Sequence, residues 1–277
     1  MTKLTQLDLR DSVVGTYSAL GENLGTFLLL IVGWAALGGA VWYGAELALA
    51  AALSNYPEFA ESYSSWPDPA QTLLAIFPLL IVSTLGTVSM VVAWHRRIIK
   101  GVVPRSPFPT DFSTIVNYLG RIILVFAIPF VPLILFAVGF ASLRRGSPGT
   151  MSSLTFGPLF TVLVVAAMLV TMRFGLVLPA IAVGDKTMTL SRAWKLSDGN
   201  TWRLFWGAFA SALPFTIVQR ICERLSETTP NAIITGVGLV AEMMSYATAA
   251  GFFSFAYMQL AQPNVSENDS PPASHFS

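Results

Sequence analysis

Apolar and polar positions along this chain fall into long blocks rather than short alternations. A hydrocarbon core of about 30 Å needs roughly 20 helical residues to cross it. Six apolar blocks meet or approach that length, at 26–53, 70–94, 119–142, 154–184, 203–218 and 231–260. The fifth is the shortest and reaches both interfaces only by recruiting Trp202, Arg203 and the 219–221 flank. Several others are overlong, which predicts tilt, a kink at Pro179, or extension beyond the bilayer. The first block starts too late, runs too long and follows too acidic a leader for a cleavable signal peptide, so none is expected. The pattern predicts an all-α integral membrane bundle of six transmembrane helices over 1–262. The polar remainder, 263–277, is expected to be a disordered tail.

Between the blocks the period changes. Val13, Tyr17, Leu20 and Leu24 recur at helical spacing and end in a G-x-N break, Gly21 to Asn23. Before the fifth block, Leu190, Ala193 and Trp194 mark one helix face, which ends in Asp198, Gly199 and Asn200. Aligned, Tyr17 falls on Trp194 and Asn23 on Asn200. Phe112, Ile115, Val116 and Leu119 precede the third block at similar spacing, without a Gly-Asn break. Three units of amphipathic interfacial helix plus transmembrane hairpin are expected, at about 8–94, 108–184 and 187–260.

Charge orients the bundle. Lys3, Arg10, Arg96, Arg97, Lys100, Arg105, Arg121, Lys186, Arg192, Lys195 and Arg203 fall on one side of the six blocks. Only Arg144, Arg145, Arg220 and Arg224 fall on the other. Cytoplasmic segments retain Lys and Arg, so both termini are expected in the cytoplasm. Composition agrees with a membrane protein. Hydrophobic residues make up 54% of the chain and charged ones 11%, against about 25% in soluble domains. With a net charge of +1 there is no sign of a nucleic-acid partner.

The stretch 190–207 concentrates the basic and aromatic residues. Asp198, Gly199 and Asn200 suit the end of one helix and the start of the next, since Asp and Asn favour N-caps and Gly tolerates a sharp turn. Trp194, Trp202 and Trp206 suit the headgroup level, where an indole keeps its ring apolar and its N–H wet. Arg192, Lys195 and Arg203 are expected to face anionic headgroups. Trp94, His95, Arg96 and Arg97 form a second interfacial group after the second block. The segments 91–101 (VVAWHRRIIKG) and 173–205, with its A-W-x-L-x-x-G-N-x-W-R stretch, resemble a family of multi-pass inner-membrane proteins common in alphaproteobacteria. The layout is more distantly similar to the membrane domain that precedes the catalytic domain in some bacterial glycerophosphodiester phosphodiesterases. The resemblance implies a bacterial inner-membrane location and no activity. Only a short tail follows Leu260, so no catalytic domain is expected.

Chemistry is sparse. Cys222 is the only cysteine and His95 and His275 the only histidines, so no metal site or disulfide is expected. There is no G-x-S-x-G, P-loop or G-x-G-x-x-G, so neither an enzyme nor a cofactor is predicted. Ionisable residues inside blocks are the sharper signal, because a mid-bilayer charge costs about 2.5 to 3.5 kcal/mol on insertion scales. Arg173 and Glu242 each lie 11 residues from a block end, about 16 Å if helical, and are expected either to pair or to line a cavity. Ala36, Ala40, Gly44, Ala48 and Ala52 repeat every four residues on the first block and read as a helix-packing stripe, as do Ala247 and Gly251 on the sixth. Two functions fit. One is a non-catalytic membrane protein organising lipids or envelope partners at the cytoplasmic face, with homo-oligomerisation possible. The other is a carrier or channel for a small or amphiphilic solute, using an Arg173 and Glu242 cavity.

Overall fold

The computed structural model describes residues 6–55, 69–103, 111–146, 153–229 and 231–261. Among these the chain is all-helical. The helices are α1 (Leu9–Glu22), α2 (Leu24–Asn55), α3 (Pro69–Lys100), α4 (Phe112–Gly146), α5 (Ser153–Phe174), α6 (Val177–Ala182), α7 (Leu190–Leu196), α8 (Thr201–Thr228) and α9 (Ala232–Ala261). Five segments are long and apolar enough to cross a membrane: Leu24–Val41, Phe112–Ser142, Gly157–Ala182, Thr201–Thr228 and Ala232–Ala261. The expected block 70–94 falls within α3, a single helix of 32 residues. The expected tail, 263–277, lies outside the described residues.

Helix α9 is the axis of the bundle, with α8, α3, α1 and α6 packed around it. Its sequence explains why so many neighbours fit. Ala241, Ala247, Ala250, Gly251, Ser254 and Ala256 are buried, and small side chains let backbones approach. A Cβ placed on Gly251 would sit 2.9 Å from the Thr16 methyl, so α1 crosses α9 in close contact there. On α8, a Cβ at Gly207 would lie 2.1 Å from the Phe252 ring. Ala247 and Gly251 therefore pack as the small-residue pattern predicts.

The stripe on α2 behaves differently. Ala36, Ala40 and Gly44 are exposed, and the side chains of Ala48 and Ala52 lie outside the described set. Helix α2 instead approaches α3 where Gly86 meets the Trp34 ring, 2.8 Å from an added Cβ. A four-residue spacing of small residues marks a permissive helix face, but the bulk of the facing side chain decides which face is used.

Core packing gathers toward one end. Leu7, Leu176, Val177, Leu204, Phe252 and Tyr257 form one cluster there. Phe27, Leu30, Met90, Trp94 and Ala247 form a second, and Val88, Val92, Ile115, Tyr118 and Ala182 a third. Elsewhere apolar side chains such as Leu135 at 66% and Val162 at 64% are exposed. Such a surface suits contact with hydrocarbon.

The expected junctions are only partly realised. Helices α1 and α2 meet at Asn23, whose N–H bonds to the Ala19 and Leu20 carbonyls. Helix α7 ends at Ser197, and Gly199 adopts φ +72, a left-handed turn that brings Asn200 to the start of α8. Before the third block there is no junction. Residues 112–119 are simply the first turns of the continuous helix α4. Helix α1 packs one face on the bundle and turns the other outward. Ser12 and Thr16 are buried against the bundle, whereas Val14 is 58% exposed.

Candidate functional site

The basic segments converge on one end of the bundle, formed by the C-termini of α3, α5 and α9, the N-termini of α4 and α8, and the short helices α6 and α7. Arg96 reaches across it, with Nε donating to the Ala182 carbonyl at 2.6 Å and Nη2 to Thr114 Oγ1 at 3.2 Å. The same guanidinium lies 3.7 Å from Asp111. Hydrogen bonds from Thr114 and Ser113 hold the exposed Asp111 carboxyl down at about 2. Arg97 donates to Asn23 Oδ1 at 2.7 Å and to the Gly101 carbonyl at 2.8 Å.

Leu7 is clamped on both sides of its peptide. Its N–H donates to Asn200 Oδ1 at 2.9 Å, and its carbonyl accepts from Arg203 Nη1 at 2.7 Å. Asp8 N–H adds a bond to Gln259 at the end of α9. Asn200 thus occupies the N-cap position of α8 but makes no side-chain cap bond. Its carbonyl oxygen is committed to a segment 193 residues away. Asn23, which the sequence pattern aligns with it, likewise spends its oxygen on a distant partner, Arg97.

Arg173 is in the last turn of α5. The apolar stretch runs on to Ala182, but the helix breaks at Gly175 and Leu176 before Pro179 is reached. Arg173 thus stands at the end of a helix rather than in the middle of one. Its guanidinium stacks on the Trp194 ring at 3.8 Å. It also donates to the Trp194 carbonyl at 2.7 Å and to Ser197 Oγ at 3.0 Å, with Asp198 at 3.4 Å. A cation at a helix C-terminus also complements the helix dipole. Glu242 is elsewhere. Its carboxylate accepts from the Tyr246 hydroxyl at 2.8 Å and lines a cleft with Gln219 and Cys222 of α8. The expected pairing of Arg173 with Glu242 does not form, and that cleft does not include Arg173.

Trp94 and His95, expected at the headgroup level, are each only 1% exposed. Trp94 packs against Phe27 with ring centroids 5.4 Å apart. His95 joins three helices: Nδ1 lies 2.7 Å from Ser254 Oγ of α9 and Nε2 lies 3.0 Å from Tyr118 Oη of α4. Ser254 donates to the Ala250 carbonyl, which leaves its oxygen to accept from Nδ1–H and assigns the Nε2 lone pair to Tyr118.

Five of the expected interfacial residues do face outward. Trp194 is 38% and Trp202 57% exposed, and Arg192 and Lys195 are exposed as well. Trp206, at 52%, continues the line along α8, edge-on to Phe205 and Phe209. Exposed Arg10, Lys100 and Lys186 add positive charge at the same end. Beneath them Asp185 accepts from Tyr257 at 2.7 Å and from Thr187, whose hydroxyl also accepts from Arg192. Burial opposes its ionisation, but these bonds and the Arg192 charge outweigh that and hold its carboxyl below the usual range.

Sequence reasoning missed Asp185 and the partners Ser254 and Tyr118 of His95, and it read Tyr17 only as part of a helix face. Tyr17 had a signal. Its hydroxyl donates to the carbonyls of Ala210 at 3.1 Å and Ser211 at 2.8 Å, and Ala210 stands four residues before Pro214. Proline has no N–H to offer that carbonyl, so a helix-interior proline asks for an outside donor.

Among the described residues no group of three or more His, Cys, Asp or Glu side chains is placed to hold a metal ion. No family model, curated protein or solved structure matches the chain.

Proposed function

We propose that the protein is a non-catalytic, six-span integral protein of a bacterial inner membrane whose basic end faces the cytoplasm and organises anionic lipids or envelope partners there. In this reading α3 supplies the sixth span through block 70–94, and both chain ends lie in the cytoplasm. Junctional residues on α1 and α7 fix the headgroup-facing rim.

One observation carries the reading. The Lys and Arg of segments far apart in sequence meet at one end, where they divide into two layers. Arg96, Arg97, Arg173 and Arg203 bind carbonyls and polar side chains of the protein itself. Arg192, Lys195 and Lys186 stay exposed beside Trp194, Trp202 and Trp206. The inner layer makes a rigid platform and the outer layer a positive, aromatic rim, in which each exposed cation near an anionic leaflet is favoured by about 1 kcal/mol.

The test is lipid retention. Protein purified from a membrane containing phosphatidylglycerol should carry that lipid, and replacing Lys186, Arg192 and Lys195 together by Gln should reduce it in a variant that still folds. Undiminished anionic lipid on the triple variant would remove the basis for the reading. A cytoplasm-dependent reporter should be active when fused after residue 100 or 195 and silent at residue 60. The reverse pattern would overturn the orientation.

A further inference from the structure

The far end of the α8 and α9 hairpin holds a second arrangement. The two helices run antiparallel in a definite register. Ser226 Oγ lies 3.4 Å from Thr235 Oγ1, and a Cβ on Gly238 would lie 3.1 Å from Cys222 Cβ. One turn further, Gln219 and Glu242 line the same cleft. Glu242 is therefore level with the first polar turn of α8, just past the apolar block that ends at residue 218. Nine further residues of α8, about 14 Å, extend beyond that level. The carboxylate therefore lies beside polar side chains of α8 as well as the apolar flank of the hairpin.

The cleft has a volume of about 500 Å³. Leu239, Gly238 and Cys222 give it an apolar wall, and Leu239 is 46% exposed, so the wall opens sideways onto the apolar flank of the hairpin. Three carboxylates line it, but two are neutralised. Glu223 accepts from Arg220 at 2.7 Å and from Gln219 at 3.0 Å, and Glu227 accepts from Arg224 at 3.0 Å. Glu242 accepts from Tyr246, an uncharged donor on its own helix. Among the described residues no cationic group lies within 4.0 Å of it. The cleft thus pairs one uncompensated negative charge with an apolar wall open to the side.

We propose that this cleft binds the ammonium head of a cationic amphiphile, an alkylamine or an amine-bearing lipid, with Glu242 as counter-ion and the chain lying along Leu239. The charge excludes an anionic head. A hard divalent ion would seek six or more oxygens, and one free carboxylate beside an amide supplies too few. A primary ammonium needs only a carboxylate and one or two neutral acceptors, which Glu242 and the amide oxygen of Gln219 provide.

Cys222 makes the proposal testable, because it is the only cysteine in the chain and lies in the cleft wall at 8% exposure, so that the slow basal reaction of its thiol in ligand-free protein is the reference for every comparison. Full-length protein in zwitterionic nanodiscs is labelled with a maleimide in the presence of dodecylammonium or, as a neutral match, dodecanol. At ten times its dissociation constant, dodecylammonium should slow labelling about tenfold by mass action, and dodecanol should leave it unchanged. Glu242→Gln should abolish the protection. Glu223→Gln should keep it, since that carboxylate is already paired. Equal protection by dodecanol, protection that survives in Glu242→Gln, or no protection by dodecylammonium overturns the proposal. So does labelling already blocked in wild-type protein and released on dilution, which would place a second copy of the chain on the cleft. The comparison of amine with alcohol uses wild-type protein, so it stands even where a variant fails to fold.

Discussion

Tyr17→Phe removes one oxygen and leaves the ring in place, which isolates the hydroxyl's role at the Pro214 site. In α8 the Ala210 carbonyl faces Pro214, whose ring crowds it and offers no N–H. The Tyr17 hydroxyl is shared between that carbonyl at 3.1 Å and the Ser211 carbonyl at 2.8 Å, and it ties α1 to the middle of α8. Ring packing against Phe215, 6.5 Å between centroids, survives the change. A net hydrogen bond is worth about 1 kcal/mol, and with the bond to Ala210 exposed and that to Ser211 half-buried, Tyr17→Phe should destabilise by about 1 kcal/mol. Pro214→Ala restores an N–H at position 214 for the same carbonyl. In that background the loss of the hydroxyl should matter less, with a coupling of about 1 kcal/mol in the double-mutant cycle. Unfolding by SDS in mixed micelles, followed for the wild type, both single variants and the double, measures it. Equal costs of Tyr17→Phe with and without Pro214 would refute the assignment of the tyrosine to the proline gap.

Three further expectations rest on other contacts. Gly207→Ala drives a methyl to 2.1 Å from the Phe252 ring and 2.8 Å from Leu9, so it should destabilise by about 3 kcal/mol or more, and Phe252→Leu in the same chain should recover part of the loss in thermal unfolding. Arg173→Lys keeps the charge but loses the planar stack on Trp194 and the forked donors, so it should fall close to Arg173→Gln, about 2 kcal/mol below wild type; a fully stable Lys variant would show that charge alone matters there. Asp185 has its carboxyl held below the ordinary value, so its stabilisation is present above about pH 4 and is lost as pH falls through the depressed value. The stability deficit of Asp185→Asn at pH 7 should therefore shrink at pH 3, and a deficit of the same size at both would argue that the Tyr257 and Thr187 bonds to this position do not depend on its charge.

Apolar block length was a reliable guide to where helices lie, because each block must satisfy its backbone internally whichever neighbour it finds. The turn at Gly199 was equally legible, since a left-handed residue between two helical periods leaves few choices of side chain. Depth was not legible. Counting from the ends of apolar runs is the only ruler the sequence offers for Arg173 and Glu242, and such a run says neither where its helix stops nor which residues of a neighbouring helix lie level with it. For Arg173 the helix stops early, at Phe174. For Glu242 the hairpin continues past the level where α8 becomes polar, which the register against Gln219 shows and α9 alone does not.

The same limit applies to the partners of the arginines, and there it bears on function. An Arg after an apolar block satisfies the positive-inside pattern whether its guanidinium meets a lipid phosphate or a backbone carbonyl, because both place it at the same helix end. The carbonyls decide between them. Helix C-termini leave their last four carbonyls without intrahelical donors, and short helices such as α6 and α7 present many such groups in a small volume. Arg96 answers Ala182 at the end of α6, and Arg173 answers Trp194 in α7. Arg203 answers Leu7 in the segment ahead of α1. Each guanidinium offers five donors in a fixed plane, which suits it to several acceptors at once, whereas a lysine ammonium is a compact charge readily kept in water. The distribution follows that chemistry: the arginines that reach inward hold the end of the bundle together, and both exposed lysines at the α7 rim, Lys186 and Lys195, remain outside. A substitution that exchanges the two types, Arg203→Lys with Lys195→Arg, keeps the net charge but should loosen the Leu7 clamp. Proteolytic access ahead of α1 should then rise while anionic lipid retention holds, and the opposite pair of results would mean that the inner and outer layers have been assigned the wrong way round.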